Sequence, residues 1–207
     1  MNMFSATKCI RFGWTSFQKR PWFLAGMTAL MLILSWVIGA LIGGMFGSGK
    51  GLGFLGFLAN VALSTLLSMG FTAVMLHSHD ALESVTIGEL WHPKPFWKFL
   101  GAQFLVGLVV LVGLLLLIVP GVVAALAFMF VLYLVIDKEL GPIKAMKESV
   151  RITRGNRLQL LLLALLVFVL NIVGLVALLV GLFVSIPVTT LAIVHAYRVL
   201  RQQKVSV

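Results

Sequence analysis

The chain has one cysteine in 207 residues, six acidic residues and, from Phe99 to Ile136, no charged side chain at all. Each shortage excludes something. A lone Cys9 cannot close an internal disulfide, so nothing points to an oxidising compartment. With so few carboxylates, and those expected outside the apolar spans, no paired-carboxylate, Ser-His-Asp or Cys-His arrangement emerges, and no cofactor is implied. Charged residues make up 11% of the chain and hydrophobic ones 61%, against about 25% and 45–50% in ordinary soluble domains. Mean hydropathy is +1.12. An integral membrane protein is expected.

The stretch from Leu114 to Asn156 organises the rest. Phe99 to Ile136 as one helix would run about 57 Å at 1.5 Å per residue, against the roughly 30 Å of a bilayer's hydrocarbon core. It must reverse, and Pro120-Gly121 is where the reversal is expected, since proline cannot continue the preceding helix and glycine takes the angles of a tight turn. Phe99 to Val119 holds sixteen Leu, Ile, Val or Phe residues. At about −0.3 to −0.6 kcal/mol each they favour insertion by roughly 5 to 10 kcal/mol.

Two further hairpins follow the same plan. One has a first span from Trp22 to Phe46, a glycine-rich turn from Gly47 to Gly51 and a second span from about Phe54 to Leu76. The other runs from Leu158 to about Tyr197, with Gly181 near its middle and Pro187 as an expected kink or turn. The fold expected is therefore an all-α membrane protein of six transmembrane helices arranged as three hairpins, each preceded by a basic or amphipathic interfacial segment. It forms one integral membrane domain over 1–207, with units 1–80, 81–138 and 139–207 as a pseudo-repeat of pattern rather than identity. The apolar run from Trp22 to Phe46 is too long for a cleaved signal peptide.

The interfacial segments carry the charge. In Met1 to Arg20, Met3, Ala6, Ile10, Gly13, Trp14 and Phe17 share one helical face, and Lys8, Arg11, Thr15 and Gln18 the other. Lys19-Arg20-Pro21-Trp22 marks the passage from water to lipid. Thr86 and Glu89 match a capping box ahead of Pro93 and Pro95. Between Gly141 and Asn156, Lys144, Lys147, Arg151 and Arg154 form a basic stripe beside Ile143, Met146 and Val150, the pattern of a helix lying in the membrane surface. A solvated charged loop is the plainer alternative. Fifteen of the sixteen Lys and Arg residues fall on one side of this topology and Lys50 on the other. By the positive-inside rule both termini are expected in the cytoplasm. The net charge of +10 brings no groove-reading or base-stacking motif, so nucleic acid is not an expected partner.

Val119-Pro120-Gly121, the span to Ile136-Asp137, and Leu140 to Asn156 resemble six-span bacterial inner-membrane proteins of unknown function related to the membrane domain of glycerophosphoryl diester phosphodiesterases. The resemblance is clearest over about residues 110 to 175 and only topological in the first half. It implies a six-helix inner-membrane fold. It implies no catalytic residue, because the phosphodiesterase chemistry resides in a separate soluble barrel.

Other motifs are weighed against blander readings. Gly44 to Lys50 fits G-x-x-x-x-G-K, but Gly51 follows where a Ser or Thr would hold magnesium, and no strand precedes it. His77, His79, Asp80 and Glu83, with His92 nearby, are candidate metal ligands by residue type. On a continuing helix His79 and Glu83 share a face, yet no third ligand is fixed, and a hydrated helix end is the simpler reading. Asn60, Ser64, Ser68 and Thr72 repeat every four residues as a polar intramembrane stripe, expected to hydrogen-bond to neighbouring helices rather than to line a path. Gln103 and Asn171 are expected interhelical partners. Gly39-x-x-x-Gly43 and Ala40-x-x-x-Gly44 suit close helix packing, within the chain or between copies.

Three functions compete. The first is a non-enzymatic membrane protein acting through anionic lipid, self-association or a protein partner, with Lys8, Arg11, Lys19, Arg20, Lys144, Lys147, Arg151, Arg154 and Arg157 on headgroups. The second is a passive transporter or channel for a lipid or neutral solute, which pseudo-repeats favour and the absence of intramembrane charge disfavours. The third, an enzyme using the His77 to Glu83 cluster, lacks an assembled nucleophile and base.

Overall fold

The computed structural model describes residues 4–46, 52–80, 95–177 and 181–205. Among these it is helical with no strand: α1 (Ala6–Lys19), α2 (Pro21–Phe46), α3 (Leu52–Asp80), α4 (Phe96–Leu116), α5 (Ile118–Ala127), α6 (Val131–Lys138), α7 (Pro142–Thr153), α8 (Arg157–Val176) and α9 (Leu182–Val205). Six stretches are long and apolar enough to cross a bilayer: Pro21–Gly44, Gly53–Asp80, Phe96–Leu116, Ile118–Lys138, Arg157–Val176 and Leu182–Lys204. The protein is a multi-pass membrane protein. Its spans pair as three hairpins, α2 with α3, α4 with α5–α6, and α8 with α9. The shorter helices α1 and α7 precede the first and third. The glycine-rich turn with Lys50, and Glu83, Thr86, Glu89, His92 and Pro93, lie outside the described residues.

The middle hairpin reverses at Leu117, whose extended backbone (φ −165°, ψ 148°) separates α4 from α5. That is three residues before the Pro120-Gly121 pair expected to make the turn. In a helix's first turn an N–H has no intrahelical partner, so proline loses nothing there, and Pro120 opens α5 instead of closing α4. Gly121 serves the close approach. A Cβ there would lie 2.5 Å from the Leu114 side chain, and one on Gly113 would lie 2.9 Å from Gly121 Cα. Gly174 and Gly181 bring α8 and α9 together in the same way, a Cβ on Gly181 falling 2.6 Å from the Gly174 carbonyl oxygen. Pro187 lies inside α9 and does not turn the chain.

A second break separates α5 from α6 within one span. The Ser149 hydroxyl of α7 donates to the Ala127 carbonyl at 2.7 Å and accepts from the Phe130 N–H at 3.3 Å. Two backbone groups that the interrupted helix would leave unpaired in an apolar setting are thereby satisfied.

The core sits at one end of the bundle. Phe99, Phe130, Leu134, Ile152, Leu160, Leu191, Tyr197 and Leu200 are fully or almost fully buried there, where α1 and α7 join the spans. Toward the other end the helices turn large apolar side chains outward, among them Trp36, Leu41, Phe54, Phe57, Leu115 and Val176. Among the described residues nothing stands within 4 Å of a Cβ built on Gly39, Gly43 or Gly44, so the expected glycine face of α2 is open there.

Candidate functional site

The basic segments come first, because their placement decides what they can touch. α7 buries Ala145, Ser149, Ile152 and Thr153, all but one small or hydroxylic, and turns Ile143, Lys144, Lys147 and Arg151 outward. The expected apolar stripe is divided: Ile143 is exposed, whereas Met146 and Val150 are half-buried. The helix ends at Thr153, so Arg154 leaves the stripe. It is the C-cap, with extended backbone, and Gly155 follows at φ +94°. Arg154 and Arg157 are both exposed. Arg151 pairs with Glu148 at 2.7 Å.

α1 is docked more tightly than a helix resting on a membrane surface. Its packing face is Ala6, Cys9, Gly13, Ser16 and Phe17, and Trp14 points outward. The expected face, with Ile10 and Trp14 on it, is rotated because helix α9 approaches so closely. A Cβ on Gly13 would stand 2.2 Å from the Val188 carbonyl oxygen, so the small residues lead the contact. Lys8, Arg11 and Lys19 remain exposed, and Arg20 lies over the Phe23 ring at 4.7 Å. Burial pushes the Cys9 thiol up to about 11, which makes it an inert packing group. Met3 lies outside the described residues.

The packed end also holds a polar network that sequence reasoning missed. Asp137 of α6 accepts from the Tyr197 hydroxyl at 2.7 Å and from Arg198 at 2.8 Å, and it pairs with Arg201. Arg198 also pairs with Asp80 at the end of α3. His79 Nδ1 lies 3.0 Å from Asp80 Oδ1, and its Nε2 lies 3.1 Å from His195 Nδ1. Charges expected only outside the spans are thus gathered at their ends. The i, i+3 spacing of His195, Arg198 and Arg201 on α9 was a legible signal; their partners on α3 and α6 were not. Of the candidate metal ligands, His79 turns inward to His195, His77 is exposed and Glu83 lies outside the described residues. Among the described residues no three metal-ligating side chains converge so as to hold a metal ion.

Two members of the polar stripe of α3 bond within their own helix. Ser64 donates to the Asn60 carbonyl at 2.7 Å and Thr72 to the Ser68 carbonyl at 2.7 Å, both within their own helix. A hydroxyl four residues after a helical carbonyl reaches it without help from a neighbour, which explains the departure. Ser64 and Ser68 join Thr28 and Ser35 of α2 around a cleft of about 210 Å³, otherwise lined by apolar residues such as Met31 and Phe71. The interhelical role expected of Asn171 is observed: it accepts from Ser185 at 3.0 Å and donates to Thr189 at 3.4 Å. Gln103 instead sits exposed on α4.

Among known proteins, the chain is similar to the uncharacterized protein Rv2560 of Mycobacterium tuberculosis, with 29% identity over 145 residues, 70% of this chain and 44% of that protein. The uncharacterized protein Mb2590 of Mycobacterium bovis is similar at 28% identity over 145 residues, with the same coverage. The chain therefore spans less than half the length of the curated relatives it matches. None of these names carries a link to a glycerophosphoryl diester phosphodiesterase. No protein family and no solved structure matches the chain.

Proposed function

We propose that this is a non-enzymatic protein of the bacterial inner membrane, with both termini cytoplasmic, that works by holding anionic lipid against its basic end. The observation that carries this reading is the two-sided character of α7. One face is anchored by Ser149 to the broken span, and the other presents Lys144, Lys147 and Arg151 beside the exposed Ile143. An apolar residue among outward cations suits a surface half in headgroups and half in water. Lys8, Arg11, Lys19, Arg20, Arg154 and Arg157 extend the same collar. Each cation near an anionic surface contributes about 1 kcal/mol, so four reversals form a decisive perturbation. A protein partner fits the same surface, whereas self-association fits the open glycine face of α2 at the other end.

The test is lipid preference in mixed bilayers, read as quenching of the native tryptophans by brominated anionic against brominated zwitterionic lipid. Wild type should favour the anionic lipid. Joint Lys144→Glu, Lys147→Glu, Arg151→Glu and Arg154→Glu substitution should remove the preference, and an unchanged preference would exclude the contact.

Passive passage of a lipid or neutral solute is the second reading, favoured by the hydroxyl-bearing cleft between α2 and α3. Flux through proteoliposomes that falls in a Ser64→Ala, Ser68→Ala variant would support it; absence of flux in wild type would leave the first reading.

A further inference from the structure

Where α1 crosses α9, three rings and a carboxylate lie in one chain. The Phe12 ring stacks on His195 with centroids 4.1 Å apart and planes at 11°, and stands 4.8 Å from His79. His195 Nδ1 meets His79 Nε2 at 3.1 Å, and His79 Nδ1 meets Asp80 Oδ1 at 3.0 Å. A carboxylate can only accept, so His79 Nδ1 carries a hydrogen. When both rings are neutral, His79 Nε2 is bare and His195 Nδ1 must be the donor. One added proton is accommodated on the far nitrogen of His195, leaving every contact intact. A second is not, because it sets N–H against N–H across 3.1 Å.

Charges around the pair make that second proton costly in position as well. The surrounding groups among the described residues are Asp80 on α3, Tyr197, Arg198 and Arg201 on α9, and Asp137 on α6. Two carboxylates face two guanidiniums, so the network is balanced before any imidazole is charged. From α1 come Phe12 and, on the same packed face, Cys9, with Lys8 and Arg11 turned outward; His77 on α3 is exposed.

We propose that the Asp80–His79–His195 chain is a proton-sensitive latch that fastens α1 to the bundle through Phe12, closed with no added proton or one and opened when both imidazoles are charged. The binding event is protonation, and the moving part is α1. On the topology proposed above, the stimulus is acidification at the cytoplasmic face.

Cys9, the one thiol of the chain, is 2% exposed on the packed face of α1 and reports the opening directly. The experiment is the rate of reaction of the full chain in nanodiscs with 4,4′-dithiodipyridine, divided by the rate of detergent-unfolded protein at the same pH. That division removes the thiolate dependence of the chemistry. The open form carries one proton more than the singly protonated closed form and two more than the unprotonated one, so the opening equilibrium should move by up to about tenfold per pH unit from the first and up to about a hundredfold from the second. Wild type should show at least about a tenfold rise in the ratio between pH 7.5 and pH 5. His195→Phe keeps a ring beneath Phe12 and cannot titrate, so its ratio should stay low at both. A flat wild-type ratio, or an equal rise in His195→Phe, overturns the latch. If His195→Phe is reactive at both pH values through poor packing, His79→Gln decides: one imidazole remains and the rise should vanish, and its persistence overturns the proposal.

Discussion

The two ends of this bundle are built from different materials. At one end α1, α7 and the C-terminal half of α9 meet α3, α6 and the start of α4 over Phe99, Phe130, Leu134, Tyr197 and a balanced cluster of charges. At the other, α2, α4 and α8 run on with Trp36, Leu115 and Val176 outward and open space around Gly39 and Gly43. Hydrocarbon solvates apolar side chains as well as protein does, so helices gain no hydrophobic attraction from meeting within it. Close packing, hydrogen bonds and ion pairs must hold them, and these are concentrated at the first end.

That contrast can be broken by mutation. The largest loss is expected from Gly13→Leu, whose side chain has only the Val188 backbone to enter. It should cost more than about 4 kcal/mol and leave Cys9 as reactive as in unfolded protein. Asp137→Asn removes the carboxylate charge that Arg201 pairs with and leaves Arg198 with Asp80 alone; a loss on the order of 3 kcal/mol is expected in detergent-induced unfolding. Ser149→Ala leaves the Ala127 carbonyl and the Phe130 N–H without that hydroxyl and should cost about 1–3 kcal/mol, with loss of helicity by circular dichroism confined to the break. At the exposed end, Gly43→Leu and Gln103→Leu should each change stability by no more than about 0.5 kcal/mol. A large effect of Gly43→Leu accompanied by loss of an oligomer on native gels would sharpen the contrast, by showing that the open end is covered by a second copy.

Hydropathy made the spans legible because burial in lipid is a property of each residue alone. The reversal at Leu117 was missed by three residues, since Pro120 is as well suited to opening a helix as to ending one. For α1, the face read from spacing held Ala6, Gly13 and Phe17, which do pack, but it also held Trp14 and lacked Cys9 and Ser16; closeness of backbones selects small side chains and leaves Trp14 outside. Ser64 and Thr72 looked like links between helices but close on their own carbonyls, whereas Asn171, whose longer amide reaches across, does link α8 to α9. The charge cluster was invisible because its members are far apart in sequence: Asp80 and Arg198 are 118 residues apart, and Asp137 and Arg198 are 61 apart.

The turn at Leu117 bears on how the protein reaches its membrane. From Leu114 to Val119 every side chain is hydrocarbon and exposed, the Leu117 N–H bonds to Gly113, and the Leu117 carbonyl accepts from Gly121. No side chain at that tip demands hydration, and only the end carbonyls of α4 and the first N–H groups of α5 need to reach the headgroups, so during biogenesis α4 and α5 can partition together into lipid as one wedge, with no charged loop to be exported.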